Sequence, residues 1–429
     1  MCLNAKGISV LKGSKNDMTD NTKTRPKVLL AAADTGDYDV ERSLDELSEL
    51  CDTAGAEVVA TLTQKRPTYD SATCIGSGRL EEMAELCRDL EIDQIIFDCE
   101  LTATQIRNIE EITDTHTIDR TMLILDIFAQ RATTKEGKLQ VELAQNKYRL
   151  PRLAGMGIKL SRLGGGIGTR GPGETKLETD KRHIRSRISA LEAELKEIEA
   201  RRQLQRKRRR KDGVLCAAIV GYTNVGKSTL LNALTDAGVL AENKLFATLE
   251  TTSRSIILPD GRSVMLIDTV GLISRLPHHL VEAFKSTLEE AASADVILHI
   301  CDASDDNIAL KTKVTNELLA DLGCEGIPVV TVYNKCDLVT DTSVLNQSDV
   351  VRISAKEGKG LNELLEAITN ALPETAKRMK LLVPFSAAGL LAKIREEGVI
   401  YSENYTAEGI EVDALVDIKL IFACEEYKI

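Results

Sequence analysis

The sequence predicts an α/β protein: a doubly wound, mostly parallel sheet, preceded by a small α/β domain and a long antiparallel helical hairpin and followed by a small α+β tail. Three observations carry this reading. Leu215 to Val220 is a short apolar run that breaks at Gly221 and leads into an amphipathic helix near Lys227, the pattern of strand, loop and helix. Further buried runs follow at Val264 to Ile267, Pro328 to Tyr333 and Val351 to Ile353. Between Ile118 and Lys211 the periodicity is helical instead.

Residues 1–24 are polar, rich in Lys, Asn, Ser and Thr, and read as a disordered leader. The first domain, 25–120, begins with the apolar run Lys27 to Ala33. A helix marked by Leu44, Leu47 and Leu50 follows, then strands at Glu57 to Thr63 and Gln94 to Phe97. Alternating strand and helix imply a parallel sheet. The turn Gly76-Ser77-Gly78-Arg79 opens a helix running to Leu90 and could seat a phosphate at its N-terminus, although a turn without a ligand accounts for it better.

The hairpin occupies 121–212. Its first arm runs roughly from Lys135 to Leu150 and its return arm from Leu177 to about Arg210. In the return arm Ile184, Ile188, Leu191, Leu195 and Ile198 recur at steps of 4, 3, 4 and 3, a coiled-coil seam, and Leu139, Leu143 and Leu150 face it. The tip loop, 152–174, holds eight glycines and the interleaved cations Arg152, Lys159, Arg162 and Arg170. Glycines let backbone approach a phosphate chain, and a loop this long inside a compact protein needs a partner to order it. An RNA-contacting tip is expected.

Charge is segregated. From Lys181 to Lys211, 13 Lys and Arg stand against 4 Glu, so this stretch is +9; with −11 for the whole chain, the remainder carries −20. The basic run Arg201 to Lys211 in an acidic body points to a polyanion, most simply nucleic acid. Aromatic residues are only 3% of the chain and Trp is absent, which argues against a base-stacking sheet. Ten scattered cysteines without a C-x-x-C pair argue against a zinc site or a disulfide framework, so no disulfide partner is expected. With no long apolar run and no secretory signal, the expectation is a cytoplasmic protein without a membrane span.

Chemistry concentrates in 213–372. Gly221-Tyr222-Thr223-Asn224-Val225-Gly226-Lys227-Ser228-Thr229 has the spacing G-x-x-x-x-G-K-[ST], in which backbone N–H groups and a helix N-terminus cradle phosphates. Lys227 would neutralise the β and γ phosphates, and Ser228 would ligate Mg²⁺. In Asp268-Thr269-Val270-Gly271, Asp268 would hold the metal's water shell and the Gly271 N–H would meet a γ-phosphate. The threonine-rich stretch Phe246 to Arg254 is placed to close over the metal through Thr252, with Thr251 a rival. Lys227, Thr252 and Gly271 are thus the expected catalytic positions, and Ser228, Thr252 and Asp268 the metal positions.

Asn334-Lys335-Cys336-Asp337 and Ser354-Ala355-Lys356 complete the set. A carboxylate at Asp337 can accept two parallel hydrogen bonds from N1–H and N2–H₂ of guanine, whereas adenine offers it no such pair. The substrate is therefore GTP. The tail, 373–429, reads as strand, helix and two alternating strands with no evident chemistry.

Together these motifs make 213–372 a P-loop GTPase domain, and the chain resembles an HflX-type GTPase of the translation-factor-related class. The resemblance covers roughly 25–372. It is carried by Asp119-Arg120-Thr121, by Gln140-Val141-Glu142-Leu143-Ala144, by Gly164 to Glu174 of the tip, and by Asp268-Thr269-Val270-Gly271. It implies a cytoplasmic GTPase that binds the large ribosomal subunit and splits stalled or idle ribosomes, its hairpin tip reaching rRNA. It also implies use of ATP through the first domain.

Many P-loop GTPases place Gln directly after D-x-x-G to orient water; here that residue is Leu272, so intrinsic hydrolysis should be slow. The missing group would come from the ribosome, or from K⁺ held beside the phosphates with help from Asn224. Two rival readings remain: a switch acting through a protein partner with the hairpin as a mere arm, and an RNA-modifying GTPase, for which no cofactor site or catalytic cysteine pattern is evident.

Overall fold

The computed structural model describes residues 8–10, 25–161, 172–211, 213–235, 245–246, 251–275, 290–339, 349–373 and 376–429. It divides into two compact units: Met1–Ala200 with Glu242–Glu250 and Ile273–Lys285, and Arg201–Ala241 with Thr251–Leu272 and Ser286–Ile429.

The first unit is built on a five-stranded sheet. Its strands are β1 (Ile8–Val10), β2 (Lys27–Asp34), β3 (Glu57–Lys65), β4 (Gln94–Phe97) and β5 (His116–Asp119), in spatial order β1-β3-β2-β4-β5. β2 to β5 pair in parallel. β2 reads KVLLAAAD, apolar without alternation and buried on both faces, as a central parallel strand requires. β1 is the exception. Its Ile8 sits opposite Leu62 and pairs antiparallel to β3, inside the stretch expected to be a disordered leader.

The helices of this unit have explicit punctuation. α1 (Val40–Ala54) starts where the Asp39 side chain accepts the Arg42 N–H and ends at Gly55 with φ +83°, a left-handed stop that favours glycine. α2 is Ser77–Asp89. α3 (Ala103–Thr113) opens with a reciprocal capping box between Thr102 and Gln105. α4 (Arg120–Arg131) is capped by Asp119. The apolar faces of α2 and α3 enclose Leu29, Leu62, Ile75, Leu80, Met83, Ile95 and Phe97 against the sheet.

The carboxyl ends of β4 and β5 are closed by their own side chains. Buried Asp98 accepts hydrogen bonds from Arg120 Nη1 (2.9 Å), Arg275 Nη1 (2.9 Å) and the Tyr38 hydroxyl (3.2 Å). Arg120 also bonds Glu46 and donates to the Ser274 carbonyl (3.2 Å). Buried Asp119 accepts from the Leu101 and Met122 amides, from the Tyr148 hydroxyl, and from Arg152 Nη2 at 3.3 Å. At Gly76 the N–H donates to Gln64 Oε1 (2.7 Å), and a Cβ there would lie 2.8 Å from Arg66 Nη1. That turn closes on its neighbours.

α5 (Lys135–Ser161) and α6 (Pro172–Lys211) are longer than the sequence suggests. Leu139 and Leu143 pack on Leu191, with Ile188, Leu195 and Ile198 around them, and Arg187 forks onto Glu142 at 2.6 and 2.7 Å. α5 carries through Pro151, so residues expected in the tip loop are helical. Arg152 is the plainest correction: its guanidinium is engaged by Asp119 and the Leu101 carbonyl and lies 3.4 Å over the Tyr148 ring, so it is an internal strut. The cations Arg162 and Arg170 lie outside the described residues.

The second unit contains a six-stranded sheet of β6 (Leu215–Gly221), β7 (Thr252–Ile257), β8 (Ser263–Asp268), β9 (Val296–Asp302), β10 (Val329–Asn334) and β11 (Val350–Arg352), in order β11-β10-β9-β6-β8-β7. All neighbours are parallel except the edge strand β7. β6 is buried along its whole length at the middle of the sheet, and α7 (Lys227–Thr235) follows it. Beyond Leu361–Ala371, a helix, comes an antiparallel sheet of β12 (Ala376–Val383), β13 (Val399–Tyr405) and β14 (Ile410–Asp417), in order β12-β14-β13, packed on helices Ala388–Glu397 and Ile418–Cys424. This tail is tied to the β7–β8 turn by the Tyr401 hydroxyl, which donates to the Asp260 carbonyl. Arg262, beside that turn, reaches the carbonyls of Thr369 (2.9 Å) and Pro373 (2.7 Å).

Candidate functional site

β6 ends at Gly221 because nothing larger fits: a Cβ there would lie 2.3 Å from the Ile300 carbonyl oxygen of β9. The chain then turns through Asn224 (φ +60°) and Gly226 (φ +93°) into α7. At Gly226 a Cβ would strike Asn334 Nδ2 at 2.3 Å. Two glycines of the phosphate-loop pattern are thus set by close approach of neighbouring strands, which is what brings backbone N–H groups to one concavity.

Lys227 is buried at the centre of this loop. Its ammonium donates to the carbonyls of Gly221 (3.1 Å) and Tyr222 (2.7 Å). Burial pulls its pKa down to about 8, partly opposed by the Asp268 carboxylate. Ser228 Oγ donates to Asp268 Oδ2 at 2.9 Å, placing a hydroxyl and a carboxylate, two hard oxygen donors, side by side. That donor set suits Mg²⁺, which takes few protein oxygens and keeps several waters. Ser228 and Asp268 are the residues that would hold it, and the ion would supply charge neutralisation between phosphates. Thr229 lies in the first turn of α7.

Thr269 anchors the β8 end by donating N–H and hydroxyl to the Ile219 carbonyl (3.3 and 2.8 Å), and Val270 is buried behind it. Gly271 follows, where a Cβ would meet Thr223 Cγ2 at 2.7 Å and Lys227 Nζ at 3.1 Å. The D-x-x-G glycine therefore lies directly against the phosphate loop. Leu272 continues that contact through its backbone, accepting from the Thr223 N–H (2.7 Å) and donating to the Gly221 carbonyl (3.1 Å). The sequence shows at Leu272 only a missing Gln, because a backbone pairing has no side-chain signature.

Thr252 opens β7 opposite Asp268 in the antiparallel register, and Thr251 precedes it. Residues 247–250 of the expected closing loop lie outside the described residues. Thr252 thus stands opposite Asp268 at the start of the edge strand.

The turns at Asn334 to Asp337 and Ser354 to Lys356 are joined to the phosphate loop through one side chain. Buried Asn334 donates Nδ2–H to the Val225 carbonyl (2.8 Å) and accepts the Ala355 N–H at Oδ1 (2.9 Å). Lys335 adopts φ +61° and pairs with Asp302 at 2.7 Å. Asp337 is exposed, and hydrogen bonding from Ser354, ahead of the Lys356 and Lys359 charges, holds its carboxyl below the usual range. It is ionised and open to solvent. Ser354 itself is buried, its Oγ accepting the Glu357 N–H at 3.2 Å.

The basic end of α6 behaves unevenly. Arg206 bonds Glu290 Oε1 at 2.9 and 3.2 Å, and Arg209 reaches Glu290 Oε2 at 3.5 Å. These two arginines hold the helix end to their own unit, which narrows the expectation that 201–211 acts as a whole on a polyanion. Arg201, Lys207 and Arg208 are exposed. Among the described residues no helix is long and apolar enough to cross a membrane.

Three family models match in sequence along the chain: a GTP-binding GTPase N-terminal region over 41–129, a GTP-binding GTPase middle region over 131–209, and a 50S ribosome-binding GTPase over 216–335. A protein named GTPase HflX from Caldanaerobacter subterraneus subsp. tengcongensis is 50% identical over 94% of both chains. Another of that name from Escherichia coli is 40% identical over 88% of this chain and 87% of its own. A solved structure described as SsGBP with GDP aligns at 24% identity over 80% of this chain and 98% of that one, with a TM-score of 0.47.

Proposed function

The chain belongs to the HflX family of GTPases, and from that membership we propose that its GTP-bound form engages the large ribosomal subunit in the cytoplasm and splits or rescues stalled or idle ribosomes. The observation that carries the nucleotide half is Asn334, which links the phosphate loop at Val225 to the base-reading turn at Ala355, so base and phosphates are read by one rigid unit. Support for the ribosomal half comes from the matched family description over 216–335 and from the exposed cations Arg201, Lys207 and Arg208.

In this reading Lys227 and the loop amides hold the phosphates, Ser228, Asp268 and Thr252 hold Mg²⁺, Gly271 senses the γ-phosphate, and Asp337 selects guanine. Leu272 cannot orient water, so hydrolysis waits on an outside group. Steady-state GTP turnover with and without purified large subunits tests this: a rise of about tenfold, or 1.4 kcal/mol of barrier, is expected. No rise, with no co-sedimentation of a GTP-analogue complex, would transfer the weight to a switch working through a protein partner. Replacing K⁺ by Na⁺ in the same assay separates a cation contribution near Asn224 from a ribosomal one. ATP turnover that survives Lys227→Ala would belong to a site outside the phosphate loop.

A further inference from the structure

Two thiols in the first unit face each other without being bonded. Cys74 Sγ and Cys99 Sγ are 3.3 Å apart in the apolar core of that unit. Cys74 sits in a closed turn: its N–H donates to the Asp70 carbonyl (3.0 Å), its carbonyl accepts the Asp70 N–H (2.9 Å), and its φ is +66°, a conformation uncommon for a residue with a Cβ. Asp70 stiffens the turn further by accepting the Ala72 and Thr73 amides, and Gln105 of α3 fixes its carbonyl. Cys99 follows β4, next to Asp98. The turn holds Cys74 in place, and a sulfur–sulfur bond of roughly 2 Å requires the two sulfurs to close from 3.3 Å.

We propose that Cys74 and Cys99 are a reversible oxidation site, converted to an intramolecular disulfide by a hydroperoxide. The roles follow from the asymmetry of the pair. Contact with Cys99 and the Arg66 charge favour the Cys74 thiolate against its burial, while contact with Cys74, burial and the Asp98 charge hold Cys99 protonated. Cys74 releases its proton and attacks one peroxide oxygen as the thiolate, the O–O bond breaks, that oxygen stays on sulfur as a sulfenic acid, and the departing hydroxide takes up the released proton as water. Cys99 sulfur then attacks Cys74 sulfur, the S–O bond breaks, and the departing hydroxide takes the Cys99 proton as a second water. Two thiols and one hydroperoxide give one disulfide and two waters when the oxidant is hydrogen peroxide. The other described cysteines are free thiols.

The test uses the full chain in its native state, treated with hydrogen peroxide, quenched, unfolded in iodoacetamide and digested with trypsin. The expected product joins peptide 66–79, which holds Cys74 alone, to peptide 89–107, which holds Cys99 alone, and is lighter than their sum by two hydrogens. Thiols titrated after unfolding should fall by two from ten, and dithiothreitol should restore them. Cys99→Ser should instead accumulate a dimedone-reactive sulfenic acid at Cys74, and Cys74→Ser should leave Cys99 alkylatable. The proposal is overturned if both thiols in the unmutated chain are still alkylated after peroxide treatment, or if either is found joined to a different cysteine.

Discussion

The Thr223 amide donates to the Leu272 carbonyl at 2.7 Å, so the residue after D-x-x-G is fastened to the phosphate loop by its backbone while its side chain is buried. Installing a glutamine there should not create a water-positioning group. Leu272→Gln would bury an amide among apolar neighbours, at about 1–3 kcal/mol, and basal GTP turnover should stay within about threefold of the parent, under 1 kcal/mol of barrier. A thermal scan and a single-turnover assay check both parts, and a large rate increase would show that the side chain does reach the reacting water.

Asp337 is exposed and ionised, held so mainly by Ser354. Asp337→Asn should weaken GTP on the order of 10²-fold through loss of the paired acceptor. Xanthosine triphosphate should gain, because its C2 carbonyl can accept from the new amide. Unchanged GTP affinity in a competition titration would remove Asp337 from base recognition.

Cations on α6 should separate by what they touch. Among the described residues, Arg206→Gln leaves the Glu290 carboxylate the longer Arg209 contact, and both partners of the lost pair are largely buried, so stability should fall by about 2 kcal/mol. Lys207→Gln with Arg208→Gln should change stability by less than about 0.5 kcal/mol, yet lower the salt slope of rRNA binding by about one for each charge removed. If the double variant binds with an unaltered slope, the exposed end of the helix does not contact phosphate.

His299 lies buried in β9, and burial lowers its pKa from 6.5 to about 4. Between those values the unfolded chain binds the proton and the folded chain does not. The contribution is therefore intact above pH 6.5 and is lost as pH falls towards 4, amounting to about 3 kcal/mol. Denaturant unfolding of the parent and of His299→Asn across that window should show a flatter pH dependence in the variant. Parallel curves would assign the acid sensitivity to other groups.

What could be read from the sequence was local. The glycine spacing of the phosphate loop and the hairpin seam at Ile188, Leu191 and Leu195 are patterns within one segment of chain, whereas Ser228 meets Asp268 from a separate motif 40 residues away. What could not be read needed a partner far away. Arg152 looked like a loop cation until Asp119 claimed it, Arg206 looked like part of a uniform basic run until Glu290 did, and three residues at Ile8–Val10 were too few to signal a strand before β3 offered an edge. Leu272 is the instructive case, since a backbone bond can form with any side chain.

Lys227 also sets the proton stoichiometry of nucleotide capture. Burial lowers the pKa of its ammonium from 10.5 to about 8 in the loop, against the pull of the Asp268 carboxylate. A polyphosphate drawn against Nζ would raise the value again, so binding at mildly alkaline pH would take up protons from solution. The heat recorded on mixing would then depend on the buffer's own ionisation enthalpy, and titrations in Tris and in HEPES would disagree by an amount that counts the protons.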